Sequence, residues 1–232
     1  MDQSERIAEQ HLYFRGYSDV RHEPDGKCPP DFLVDGNIAV EVRRLNQNYF
    51  ASEPPEGLEN AEHWVLDHLT RLFASYGTSR QTRFIGVRFS RPLPPRRKVT
   101  KAAHSFLDSV LEGRVPEGTR QTIAENMELE YMFTQAGEGD VFCLGVLDDG
   151  DSGGWAFDLL QQNIGLCILE KTRKIEPYRS RYAIWWLFLI DRLVHGLPIR
   201  FRERFRQLTT LEHDWDKVVI INSTNPRDYF EL

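Results

Sequence analysis

The chain has 232 residues, 41% hydrophobic and 28% charged, with a formal net charge of −6. That length is ample to bury a core, and the acidic balance argues against a protein that coats nucleic acid without specificity. Three unpatterned cysteines, Cys28, Cys143 and Cys167, argue against a disulfide framework or a zinc cluster and for a reduced, cytoplasmic setting. No apolar run opens the chain and the longest, from Tyr182 to Ile190, is less than half a membrane span, so neither a signal peptide nor a membrane helix is expected.

Asp2 to Arg15 is expected to be a helix, with Asp2 and Glu5 in the positions of a capping box, Ile7, Ala8, His11 and Leu12 as a helical stripe, and Gly16 as its stop. Tyr17 to His22 follows as a short strand, and the turn-rich stretch from Glu23 to Pro30 leads into a hairpin. The hairpin has two alternating apolar runs flanking Asp35-Gly36-Asn37. With a three-residue loop, Val34 faces Ile38, Leu33 faces Ala39, Phe32 faces Val40 and Asp31 faces Glu41. Alternation then puts Phe32, Val34, Ile38, Val40 and Val42 on one apolar face, and Asp31, Glu41 and Arg43 on the other. Two opposed carboxylates repel, and a divalent cation would offset them.

Pro30-Asp31, nine further residues, then Glu41-Val42-Arg43 resembles the PD-(D/E)XK motif of the restriction-endonuclease-like nuclease superfamily. The resemblance covers about the first fifth of the chain. It implies that Asp31 and Glu41 bind Mg²⁺ (or Mn²⁺) with the help of the Val42 carbonyl, while a lysine orients or activates the attacking water. It further implies that Glu9 or Glu5, on the first helix, leans toward the metal; an exposed charge on that helix is the other reading. Arg43 departs from the family, standing where its lysine belongs. Arginine stays protonated, so Arg43 can steady phosphate charge but cannot be a general base. Gln47 resembles a polar residue that some members place near the metal's water, or is a plain loop amide.

Farther on, Leu58 to Tyr76 is expected to be a helix, Arg83 to Ser90 a strand, and Thr100 to Glu112 a helix after a proline-broken loop. His63 and His68 are five apart, not the spacing of a helical zinc pair, and read as surface or core-edge residues. Arg88, Arg91, Arg96, Arg97, Lys98 and Lys101, with no acid among them, are candidate contacts to a phosphate backbone, or else a solvated loop. Glu128 to Gln135 and Val141 to Asp148 read as strands paired about Gly137 and Gly139. The acidic turn from Asp148 to Gly154 lacks the distal glutamate of a calcium loop, Leu160 standing there.

Phe157 to Lys174 reads as a helix leading into a second basic segment, with Lys174, Arg179 and Arg181 as further nucleic-acid candidates, and then the aromatic strand Tyr182 to Asp191. Since some members of the superfamily carry their catalytic lysine on such a helix, Lys171 is the candidate for a relocated lysine. Four arginines alternating from Arg200 to Arg206 form a third basic element, Val218 to Asn222 a last strand, and Tyr229 to Leu232 an extended tail. Phosphate-loop, GxSxG and kinase signatures are absent.

The expected fold is mixed α/β: a single domain built on a central mixed sheet with helices on both sides, residues 1–45 and 155–232 forming the core and 46–154 an insertion. The resemblance implies a Mg-dependent nuclease acting on DNA; a homodimer or a larger complex is a further expectation that does not come from the resemblance. The alternatives are an inactive nuclease-fold subunit that binds nucleic acid or protein, and an unrelated α/β protein in which Asp31 and Glu41 are merely solvent-facing.

Overall fold

A computed structural model describes residues 1–232. In chain order it contains α1 (Gln3–Phe14), β1 (Val20–His22), β2 (Phe32–Val34), β3 (Ile38–Leu45), β4 (Asn48–Tyr49), β5 (Glu56–Gly57), α2 (Leu58–Ala74), β6 (Thr78–Phe89) and α3 (Arg96–Leu111). There follow β7 (Thr119–Ala124), β8 (Met127–Asp140), β9 (Phe142–Asp149), α4 (Ala156–Ile175), a 3₁₀ turn (Glu176–Arg181), β10 (Ile184–Asp191), α5 (Ile199–Leu208), β11 (Lys217–Asn222) and β12 (Tyr229–Glu231). The architecture is mixed α/β. No helix is long and apolar enough to cross a membrane.

The chain forms two compact units, one made of Met1–Asn48 with Gly154–Leu232, the other of Tyr49–Gly153. The segment expected as an insertion elaborating a single core is thus a unit with its own sheet and its own hydrophobic cluster.

The first unit holds a six-stranded sheet in the order β1-β2-β3-β10-β11-β12. Its left half is an antiparallel meander, while β3, β10 and β11 run parallel. Central β10 is buried on both faces, which is why its sequence is a continuous apolar run and not an alternating one. Trp186, Phe188 and Ile190 pack on one side with Phe32, Val34, Val40 and Val42, beneath Ile7, Ala8 and Leu12 of α1. On the other side Trp185, Leu187 and Leu189 meet Leu160, Ile164, Cys167 and Ile168 of α4 and Phe205 of α5. Asp2 and Glu5 do form a capping box at the start of α1.

The second unit has the sheet order β7-β8-β6-β9, with α2 and α3 on one face. Val65, Leu69 and Phe73 of α2 and Val99, Ala103 and Leu107 of α3 bury Ile85, Val87 and Phe89 of β6. β8 and β9 do not pair with each other, as the sequence suggested; β8 runs antiparallel to β6 and β9 parallel to it. Only Val141 separates β8 from β9, too little for a hairpin loop, so the chain passes to the other edge of β6. The arginine run at 200–206 is helical: α5 buries Phe205, and Arg202 and Arg206 are pinned to the main-chain carbonyls of Tyr229 and Glu231.

Candidate metal and lysine site

The hairpin of β2 and β3 adopts the register its sequence specifies, Phe32 opposite Val40, Leu33 opposite Ala39 and Val34 opposite Ile38. Its loop works because Asp35 and Gly36 take positive φ, +48° and +72°, which aspartate and glycine tolerate best. Alternation then sends Asp31 and Glu41 to the α4 side of the sheet.

Pro30 has no N–H, and beyond Phe32 the β2 ladder ends. The Val42 amide, left without a strand partner there, donates to Asp31 Oδ2 at 2.7 Å. Since the N–H and C=O of one strand residue point to the same edge, the Val42 carbonyl also faces the side of Asp31.

Glu41 is fully buried, an arrangement that requires partners for its charge. Lys171 supplies one, Nζ to Oε2 at 2.5 Å, and Lys174 a second, Nζ to Oε2 at 3.1 Å. Lys171 Nζ also lies 3.7 Å from Asp31 Oδ2, so the two carboxylates already share one cation. Both lysines sit one turn apart near the end of α4, where the helix dipole favours positive charge. Burial works against the charge of Lys174, but Glu41 and Asp31 outweigh it and raise its pKa above the ordinary lysine value.

Arg43 is not part of this network. Its guanidinium pairs with Glu170 at 2.6 Å, one residue before Lys171 on α4, and its Nε is buried without a partner. The position the family gives to lysine is therefore turned toward α4, and the amine beside the carboxylates comes from Lys171. Beneath Arg43, burial pushes the Cys167 thiol pKa up, and the Arg43 charge moderates the effect.

Glu9 lies on α1, which packs against the opposite face of the sheet, so it does not join Asp31 and Glu41. Glu5 is engaged by its own cap and by His22 Nε2 at 3.3 Å. Among the candidate nucleic-acid contacts, Arg91 is a structural residue. Only 6% of its side chain is exposed, and it is clamped by both oxygens of Asp149, by Asp151 and by the Leu58 carbonyl. Arg88 pairs with Asp148, Arg181 with Asp25, and Arg179 with the Asp214 carbonyl. Lys174 belongs to Glu41. Arg96, Arg97, Lys98 and Lys101 are exposed on α3 with no acidic residue in its first turn. Sequence reasoning missed the second ammonium at Glu41 and the Glu170 partner of Arg43; the three- and four-residue spacing of Glu170, Lys171 and Lys174 was the available signal.

No three His, Cys, Asp or Glu side chains cluster in the way the ligands of a structural zinc do. Magnesium is different, because it keeps several waters and is usually held by one or two carboxylates. Asp31 and Glu41 are hard oxygen donors of that kind, both within reach of one cation as their shared Lys171 ammonium shows, and they fit it. No protein-family model, curated protein or solved structure matches the chain.

Proposed function

We propose that the first unit is a Mg²⁺- or Mn²⁺-dependent nuclease of the restriction-endonuclease-like kind, with its catalytic lysine relocated to Lys171. The observation that carries this reading is the Lys171 ammonium set against both Asp31 and Glu41. Asp31, Glu41 and the Val42 carbonyl would hold the metal, which when bound lowers the pKa of a water and polarises the scissile phosphate. Lys171 would orient that water and donate to a phosphate oxygen. Lys174, kept charged by the two carboxylates, is a fixed positive charge for the negative charge that builds on the phosphate. Arg43 acts indirectly, holding Glu170 and with it the α4 segment that presents Lys171. DNA as the substrate follows from the resemblance alone. The three free cysteines fit a reducing, cytoplasmic setting.

A second reading, an inactive nuclease-fold subunit, is favoured by the same ion pairs, since Lys171 and Lys174 neutralise the carboxylates without any metal. One assay separates the two. Plasmid, linear and single-stranded DNA and RNA are incubated with Mg²⁺ or Mn²⁺ and the wild type, Asp31→Ala, Glu41→Ala or Lys171→Ala. Metal-dependent cutting by the wild type, lost in all three variants, is the expected result. No cutting and no metal binding at millimolar concentration would sink the enzyme and leave the inactive subunit.

A further inference from the structure

Between α2 and α3 the second unit carries an open cleft of about 530 Å³, lined by Trp64, His68 and Arg71 from α2 and by Arg96, Thr100 and His104 from α3. We infer that this cleft is a phosphate-recognition site, built from the Arg96 and Arg71 guanidiniums, the first turn of α3 and the His68 ring. The inference is independent of the nuclease reading, because the unit contributes neither Asp31 nor Glu41.

The cations come first. Arg96, Arg97 and Lys98 occupy the first turn of α3, against the helix dipole and with no acid among them. Pro95 caps that helix without a side-chain hydrogen bond, and its carbonyl serves the amides of Lys98 and Val99, leaving those of Arg96 and Arg97 without helical partners. An external anion bound there would offset this unfavourable arrangement.

The cleft wall supplies the rest. Trp64 stacks on His68, their rings 5.3 Å apart and 8° from parallel, and the Arg96 guanidinium lies 5.4 Å from the indole centroid. The indole is thus already covered by an imidazole and a guanidinium, so charge and not base stacking defines the ligand.

The Thr100 hydroxyl donates to the Arg96 carbonyl at 2.8 Å, so it accepts from His68 Nε2–H at 3.0 Å. Nδ1 is then the nitrogen that takes up a proton. Burial lowers the His68 pKa, and Arg96 and Arg71 lower it further, which favours the neutral ring. The other charged or titratable groups lining the cleft are His63, His104 and Asp67, the last 3.7 Å from Arg71. With two arginines against one carboxylate, and imidazoles able to take up a proton, an anion with several acceptor oxygens is the complementary ligand. Its arrival reverses the field at His68 and draws a proton onto Nδ1.

The test is an NMR titration of the His68 ring in the full chain, assigned with His68→Gln, alone and with millimolar inorganic phosphate. Single-stranded oligonucleotides with a 5′-phosphate or a 5′-hydroxyl are titrated in parallel. Phosphate should raise the His68 pKa and quench the part of the tryptophan fluorescence lost in Trp64→Phe. Arg96→Gln, an exposed change that relieves the helix dipole and so should stay folded, should weaken phosphate binding by about tenfold. Asp31→Ala should leave it intact, which keeps this site separate from the carboxylates. Tighter binding of the 5′-phosphorylated strand assigns the cleft to strand ends; equal binding of the two strands, with phosphate still bound, assigns it to free phosphate or nucleotide. A His68 pKa unmoved by phosphate and by either strand, or phosphate binding unchanged in Arg96→Gln, overturns the inference.

Discussion

Lys171 holds a position that a divalent cation would also want, and the energetics follow from that. Its ammonium and that of Lys174 balance Asp31 and Glu41, so this four-residue cluster carries no net charge. Such a cluster attracts a further divalent ion weakly until a phosphate brings negative charge with it. Lys171→Gln should therefore bind Mg²⁺ about tenfold more tightly than the wild type in the absence of nucleic acid, by isothermal titration calorimetry. Equal affinities would mean that ammonium and metal do not compete for the carboxylates. The same lysine matters to stability. Removing one partner of a buried ion pair leaves the other charge poorly compensated, so Lys171→Met should cost about 3 kcal/mol in urea denaturation. In the double variant Glu41→Gln/Lys171→Met the loss should fall well short of the sum of the single losses.

At the scale of elements, the first unit depends on α1 being tied to the loop before β12. His11, 1% exposed, makes that tie through a hydrogen bond between Nδ1 and the Pro226 carbonyl at 2.8 Å, with its ring edge-on to Phe188 and Tyr229. Burial lowers the His11 pKa, the Pro226 hydrogen bond resists, and Arg15 adds to the lowering. The unfolded chain then takes up the proton first on acidification. Stability linked to neutral His11 is full above the unfolded value of about 6.5 and drains away as pH falls from there toward the folded value. The urea midpoint should drop between neutrality and about pH 5.5, more steeply in the wild type than in His11→Phe; parallel slopes would remove His11 as the cause. Elements with local signals were readable in the sequence. The hairpin register came from period-two alternation and Asp-Gly-Asn, and α1 from its capping box. What failed was long-range. Lys174, 133 residues from the Glu41 it serves, read as a nucleic-acid contact, and the acids that claim Arg91 lie 58 and 60 residues beyond it, so a run of bare cations in sequence concealed a buried clamp. The start of α3 was missed for a different reason, since Pro94 and Pro95 looked like breakers although proline is well tolerated where a helix begins.

At the scale of the whole molecule, the two units have separate hydrophobic clusters, and the phosphate chemistry proposed for each draws on its own residues. Arg91 offers a way to disturb one core alone. Its guanidinium is the countercharge shared by Asp149 and Asp151 inside the second unit, and Arg91→Met removes it from beside Asp149, whose side chain is only 9% exposed. The expected cost is about 3 kcal/mol. Hydrogen exchange should report it as lost protection in β6, β8 and β9, while β3, β10 and β11 keep theirs. Metal affinity at Asp31 and Glu41 should stay at the wild-type value under conditions where the first unit remains folded. Protection lost equally from both sheets would show that the two cores unfold as one cooperative body, and the division into separately stable units would then fail.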